Sequence, residues 1–231
     1  MKLITVAGLP SSGKTSVILN LSRILRECGG LRSGVVKLGC RPGSDVEDGE
    51  KGGNPVEAGF PEDPRQDRFS IRSAEEILRW AFSRNLDLLA VESAGPCSPC
   101  FPRIREAPGI CVIDNSDCSR FADTTVPLLK AADAVAITKG DTASPEDREA
   151  LSRYVRKVNS KAGIVFVNGV TGQGTVSLLR HLRFPETDDL QERPDLCGGR
   201  RSGPASRPLV FSKKESGNVG IDPAGNGAMT G

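Results

Sequence analysis

Aromatic side chains are scarce in this 231-residue chain, which has one Trp, one Tyr and eight Phe, and a single His. A core so poor in aromatics must be built from Val, Ile, Leu and Ala, which suits a parallel sheet covered on both faces. Net charge is nearly absent: 31 Lys+Arg stand against 29 Asp+Glu, a formal +2 at pH 7. Without a concentrated basic face, neither nucleic acid nor an anionic membrane surface is an expected partner. No apolar run approaches the roughly 18 residues that a spanning helix needs, so no membrane span is expected. The first residues, Met1-Lys2-Leu3-Ile4-Thr5-Val6-Ala7, have a passing likeness to a signal peptide. They lack the long apolar region and small-residue cleavage site of one, and read as a strand; the expected location is cytoplasmic. Seven cysteines, an odd number, do not suggest a disulfide framework in a reducing compartment. They read as core residues, metal ligands or reactive thiols.

What is present is a recurring unit. Short apolar runs occur at Lys2 to Ala7, Gly34 to Leu38, Leu86 to Val91, Ile110 to Ile113, Asp133 to Ile137 and Ile164 to Val167. Helical patterns lie among them at Lys14 to Cys28, Ser73 to Arg84, Pro145 to Asn159 and Thr175 to Leu182. Ser73 and Ser144 are expected N-caps, each followed by acids, with Pro145 at a first helical position. Alternating strands and helices predict an α/β fold with a mostly parallel sheet and helices on both faces. Two stretches stand apart. Residues 41–68 carry five Gly, four Pro and eight acidic residues in 28 positions and are expected to form a long acidic loop. From Cys197 to Gly231 there are eight Gly and three Pro among 35 residues, a composition typical of disorder. The expected organisation is a nucleotide-binding domain over 1–185 and a disordered tail over 186–231.

Gly8-Leu9-Pro10-Ser11-Ser12-Gly13-Lys14-Thr15 fits the G-x-x-x-x-G-K-[ST] pattern between a strand and a helix, the context in which that pattern is informative. Its glycines let the backbone wrap a phosphate, and the helix offers its positive end. Lys14 is expected to reach the β- and γ-phosphates, and Thr15 to ligate Mg²⁺. Gly8, Ser11, Ser12, Gly13, Lys14, Thr15 and Ser16 are the candidate phosphate-binding residues.

Thr138-Lys139-Gly140-Asp141 ends a later strand and resembles the [NT]-K-x-D guanine motif of GTPases. There the carboxylate accepts from guanine N1–H and N2 amine; adenine has no such donor pair, so an unpaired Asp141 would reject ATP. One strand further, Val167-Asn168-Gly169-Val170-Thr171-Gly172 resembles the loop whose backbone N–H meets guanine O6, with Asn168-Gly169 in place of the usual Ser-Ala. Thr138, Lys139, Asp141, Asn168 and Gly169 are the candidate base-binding residues, and the implied ligands are GTP or GDP with Mg²⁺.

The third expected strand ends in Glu92-Ser93-Ala94-Gly95. Glu92 is a candidate Mg²⁺-shell and catalytic residue beside Lys14, and Gly95 a candidate sensor of the γ-phosphate. Glu-Ser-x-Gly, together with Cys111-Val112-Ile113-Asp114 and the helix end Leu128-Leu129-Lys130-Ala131-Ala132-Asp133, resembles the HypB/UreG family of SIMIBI-class GTPases and its CobW-type relatives. The resemblance runs from about residue 2 to 182. It implies a metal-inserting GTPase whose nucleotide-dependent homodimer delivers nickel or a similar ion to a client apo-metalloenzyme or its maturation partner.

Pro96-Cys97-Ser98-Pro99-Cys100 lies where that family carries metal-binding Cys beside Pro or His. Cys97 and Cys100 have the spacing by which two thiolates grip one ion, and a dimer would supply four. A redox pair and incidental thiols are the alternatives. The chain departs from the family in lacking a His-rich segment, in replacing Cys-Pro-His with Cys-Ser-Pro-Cys, and in placing the acidic 41–68 stretch at the first switch. Zinc, iron or copper thus stand beside nickel. Cys40 is a possible third ligand, Asp45, Glu47 and Asp48 read mainly as loop solvation, and His181, Cys28, Cys111 and Cys118 as surface, packing or incidental residues. With no Gln placed to orient water, slow turnover is expected. A non-catalytic GTP or metal sensor is the competing reading. A small-molecule kinase, with Arg103 and Arg105 as a thin candidate lid, is a weaker one.

Overall fold

The computed structural model describes residues 1–38, 56–60, 71–93, 107–115 and 125–182. Seven strands, β1 (Lys2–Gly8), β2 (Ser33–Leu38), β3 (Val56–Phe60), β4 (Leu88–Ser93), β5 (Gly109–Asp114), β6 (Ala134–Thr138) and β7 (Gly163–Phe166), form one sheet in the order β3-β2-β4-β1-β5-β6-β7. Every adjacent pair is parallel. Five helices accompany it: α1 (Lys14–Gly29), α2 (Ile71–Ser83), α3 (Val126–Ala131), α4 (Pro145–Val158) and α5 (Thr175–His181).

Alternation along the strands decides which helix packs where. Ile4 and Val6, Leu88 and Ala90, and Ile110 and Val112 point to one face, where they join Val17, Ile18, Leu21 and Leu25 of α1 and Leu178 and Leu179 of α5. Their neighbours Ala7, Cys111, Ile113, Val135 and Ile137 pack on the opposite face against Leu128 and Leu129 of α3 and Leu151 and Val155 of α4. Farther along that second face, Val36, Leu38, Leu89 and Val91 meet Ile77 and Ala81 of α2. A strand sandwiched in this way has no solvent face, which is why its sequence reads as a continuous apolar run.

Two expectations need correction. The acidic 41–68 stretch contains a strand: Val56–Phe60 is β3, paired at the sheet edge with β2. An edge strand has a neighbour on one side only and needs less apolar character than a central one, so Gly and acid in Val-Glu-Ala-Gly-Phe do not forbid it. Helix α2 begins at Ile71, which puts Ser73 inside its first turn rather than at the N-cap. Helix α3 is a separate element of six residues with Pro at its start. Ser144 caps α4 as expected, its hydroxyl accepting from the Asp147 N–H at 3.1 Å.

From β1 the sheet runs outward through β4, β2 and β3 on one side and through β5, β6 and β7 on the other. The crevice at the carboxyl ends of such strands is where open α/β sheets hold their ligands. The loops after β1, β6 and β7 and the tips of β2 and β4 all lie at that edge. No helix among the described residues is long and apolar enough to cross a membrane.

Candidate functional site

Between Gly8 and Lys14 the chain turns tightly through two left-handed residues, Ser11 (φ 61°) and Gly13 (φ 87°). At Gly8 the limit is space: a Cβ there would run into the Val112 carbonyl of β5 and lie 2.8 Å from the Ser12 hydroxyl. The Lys14 ammonium folds back over the loop and donates to the carbonyls of Gly8 at 3.2 Å and Leu9 at 2.9 Å. Helix α1 starts with no side-chain cap and no acid in its own first turn, and the negative charge near its positive end comes from Glu92 of β4. Two hydroxyls at this edge, Ser12 Oγ and Ser93 Oγ, are buried and find no hydrogen-bond partner among the described residues. Buried polar groups without partners are uncommon, and the Ser12 hydroxyl, which lies within the loop itself, suits an oxyanion ligand.

Beside the loop lies a buried polar triangle. The Thr15 hydroxyl hydrogen-bonds to the Glu92 carboxylate, 3.0 and 3.2 Å from its two oxygens, and accepts from the Lys37 ammonium at 2.9 Å. Lys37 in turn lies 3.5 Å from Glu92 Oε2, with side chains only 4% and 6% exposed. The sheet dictates this meeting. Lys37 of β2 and Glu92 of β4 are register partners, and both continue the face that packs on α1, where Thr15 sits in the first turn. Thr15 and Glu92 were expected to approach one another. Lys37 was missed, although a lysine inside Val35-Val36-Lys37-Leu38 is the kind of charge that an apolar strand does not bury without a partner. Hydroxyl and carboxylate oxygens are the donors that Mg²⁺ prefers, so Thr15 and Glu92 fit that ion, with Lys37 as a third party at the same oxygens.

The second motif is tied directly to the first. Thr138 Oγ1 donates to the Ser12 carbonyl at 2.7 Å. Lys139, held at φ 53°, donates to the Ser11 carbonyl at 3.1 Å and pairs with the Asp114 carboxylate. A Cβ on Gly13 would meet Thr138 Cγ2 at 3.3 Å, so the two loops are in close contact. Asp141 lies exposed in a single 3₁₀ turn over Gly140–Thr142. In the loop after β7, the Asn168 side-chain oxygen accepts from the N–H groups of Val170 at 2.9 Å and Thr171 at 3.0 Å and so shapes the turn. The Gly169 carbonyl accepts from the Asn20 side chain of α1 at 2.9 Å, and a Cβ on Gly169 would come 3.2 Å from Cβ of Ser16. Asn20 and Asp114 were not expected at the site; the signal for Asn20 was a polar residue on the apolar stripe of α1.

Cys111 lies within β5, fully buried, with burial pushing its thiol up to about 12 against a smaller downward pull from Lys14. It is therefore a protonated packing group at neutral pH. His181 is exposed, as expected of a surface residue, and Cys28 is exposed too, which sets aside a packing role for it. No group of three metal-ligating side chains occurs among the described residues. Gly95, Cys97, Cys100, Cys40, Cys118, Arg103, Arg105, Asp45, Glu47, Asp48 and the 186–231 tail lie outside the described residues.

A parallel sheet with helices on both faces, and a G-x-x-x-x-G-K-[ST] loop joining its central strand to α1, define a P-loop NTPase fold of the SIMIBI type. The chain belongs to the family of the uncharacterized protein MJ0120 of Methanocaldococcus jannaschii, to which it is 36% identical over 203 residues, 85% of this chain and 86% of that one. No protein-family model matches it. Among solved structures it is similar to HypB from Helicobacter pylori in complex with nickel, with a TM-score of 0.63 and 15% identity over 88% of this chain and 92% of that one. It is also similar to the hydrogenase maturation factor HypB from Archaeoglobus fulgidus, with a TM-score of 0.57 and 16% identity over 78% and 89%. At these identities the likeness is one of fold.

Proposed function

We propose that the protein is a cytoplasmic GTP-binding switch of low turnover, with residues 1–185 as its nucleotide-binding domain, that couples GTP-dependent dimerisation to delivery of a metal ion for metalloenzyme or cofactor maturation. The observation that carries the guanine reading is the direct bonding of Thr138 and Lys139 to the Ser12 and Ser11 carbonyls. A strand-end turn with no part in binding has no reason to be laced to a phosphate loop 126 residues away in sequence. In this reading Ser11, Ser12, Gly13, Lys14, Thr15 and Ser16 hold the phosphates, with the buried Ser12 hydroxyl as one donor. Lys139 lies along the base, Asp141 accepts its two N–H donors, and the loop at Asn168 and Gly169 closes over O6. Mg²⁺, held by Thr15 and Glu92, would neutralise charge developing between the β- and γ-phosphates. Glu92 is otherwise engaged by Thr15 and Lys37, which supports slow hydrolysis and keeps a non-catalytic sensor in view as a second reading.

The metal-delivery part rests on Cys97 and Cys100, two and five positions beyond Gly95, and on the likeness to a HypB whose structure contains nickel. The metal is cargo, gripped by the two thiolates and by their copies in a dimer.

Competition of GTP, ATP and XTP for the site tests the base reading. GTP is expected to outcompete ATP, and Asp141→Asn to move preference toward XTP; equal binding of ATP and GTP by the wild type would overturn it. Metal analysis and mass measurement with GDP and with a non-hydrolysable GTP analogue test the rest. A metal-bearing dimer with the analogue, lost in Cys97→Ala/Cys100→Ala while nucleotide affinity persists, is the expected result. Unchanged metal content in the double variant refutes delivery through this pair.

A further inference from the structure

Lys37 has no role of its own in the scheme above, yet among the described residues it is the most deeply buried charge. It lies 3% exposed in the interior of a strand, and burying an ammonium is costly unless a carboxylate and hydrogen-bond acceptors meet it. Here both do, and the acceptor is Thr15 Oγ1, the oxygen that a P-loop offers to a divalent ion. Glu92, the second oxygen donor for such an ion, is the ammonium's register partner across the sheet. A divalent cation entering between Thr15 and Glu92 would therefore meet a positive charge already bonded to the same hydroxyl and close to the same carboxylate, and like charges at hydrogen-bond distance repel strongly.

We propose that Lys37 is a built-in cation of the nucleotide site, sharing the Thr15 hydroxyl and the Glu92 carboxylate with Mg²⁺ and making nucleotide binding nearly independent of the metal. The proposal rests on the nucleotide reading above and adds a specific division of labour. Lys14 covers the phosphate loop from one side, and Lys37 supplies positive charge from β2 at the place where most of the metal's charge would act. Its flexible stem lets the ammonium move from Thr15 toward a phosphate oxygen, or back, according to whether the metal is present. Part of the gain from binding Mg²⁺ is then spent in displacing Lys37, and the net benefit of the metal is small.

Fluorescence titration with N-methylanthraniloyl-GDP, in excess EDTA and in millimolar Mg²⁺, provides the test. Wild-type affinity is expected to change by less than about tenfold between the two conditions, whereas Lys37→Met should lose at least about tenfold more than wild type on chelation, as removal of a charge-assisted contact implies. Lys37→Met leaves Glu92 buried beside an uncharged neighbour and can fail to fold. Lys37→Met/Glu92→Gln removes both charges at once and carries the same expectation relative to Glu92→Gln. A wild type that loses more than tenfold in EDTA overturns the proposal, and so does a Lys37 variant no more magnesium-dependent than its parent. If neither protein binds the nucleotide with or without Mg²⁺, the nucleotide reading itself falls, a result distinct from either.

Discussion

The proposed phosphate end and the proposed base end of the site are built in opposite ways. At the phosphate end the charged groups are interior ones: Lys14 is 6% exposed, Lys37 3% and Glu92 4%. Around the base motif they are open, with the Lys139 side chain 44% exposed and Asp141 on the surface. A buried ionic cluster is part of the folding problem, since each charge must be paired before the sheet can close over it. An exposed carboxylate on a short turn contributes little to folding and can be specialised for recognition. Substitutions should therefore damage stability and binding together at the first end, and separate them at the second.

The largest expected effect is that of Glu92→Ala. It would take from the buried Lys37 ammonium its carboxylate neighbour at 3.5 Å, and losing one member of a buried pair costs about 3–5 kcal/mol. A free energy of unfolding, from denaturant titration, within about 0.5 kcal/mol of wild type would mean that the triangle is not a structural unit, and the contrast between the two ends would collapse. Next comes Gly8→Ala. The added Cβ overlaps the Val112 carbonyl of β5, which is backbone and cannot rotate aside. Overpacking of this kind costs about 1–3 kcal/mol and should weaken nucleotide binding through the displaced loop. Thermal melting with and without GDP reads both quantities.

How much of this was legible beforehand follows the same division. The five inner strands announce themselves because burial on both faces demands unbroken apolar runs, as in Leu88-Leu89-Ala90-Val91 and Ala134-Val135-Ala136-Ile137, and β7 at one edge keeps the run Ile164-Val165-Phe166. Strand β3 does not, because an edge position tolerates Glu57 and Gly59 within an acidic stretch. The P-loop and the Thr138-Lys139-Gly140-Asp141 motif are contiguous, so their chemistry can be read along the chain. The role of Lys37 cannot. It depends on β4 lying between β1 and β2 in the sheet, a fact of strand order that sets Lys37 opposite Glu92 and that no local pattern encodes. Asn20 is similar: its partner Gly169 lies 149 residues away.

A smaller effect is expected at the helix that follows the base motif. The Ser144 hydroxyl accepts from the Asp147 N–H and donates to the Asp147 carboxylate, closing the first turn of α4. Ser144→Ala should cost about 1 kcal/mol, the usual loss of an N-cap. Because the cap sits three residues beyond Asp141, the local loss should raise hydrogen exchange in the first turn of α4 while leaving the buried triangle protected. Equal acceleration at β2 and β4 would show that the two ends unfold as one unit.

The smallest change in stability, and the sharpest test of the comparison, belongs to Asp141→Asn. Asp141 is exposed, and no hydrogen bond of its side chain holds the 3₁₀ turn that carries it; the turn is closed instead by Thr142, whose hydroxyl donates to the Lys139 carbonyl at 2.8 Å. The amide is isosteric with the carboxylate, so the free energy of unfolding should change by less than about 0.5 kcal/mol. Its effect on guanine binding should be far larger, because a carboxylate accepting two N–H donors is replaced by a group that can accept only one of them and presents N–H to the other. Hydrogen bonds to a charged group contribute about 1.5–3 kcal/mol each, so a loss of tenfold to a hundredfold in GTP affinity is expected, with XTP gaining. Stability and specificity would then have been separated by a single atom at the exposed end. Glu92→Ala, changing both at once, would show that the buried end does not permit the same separation.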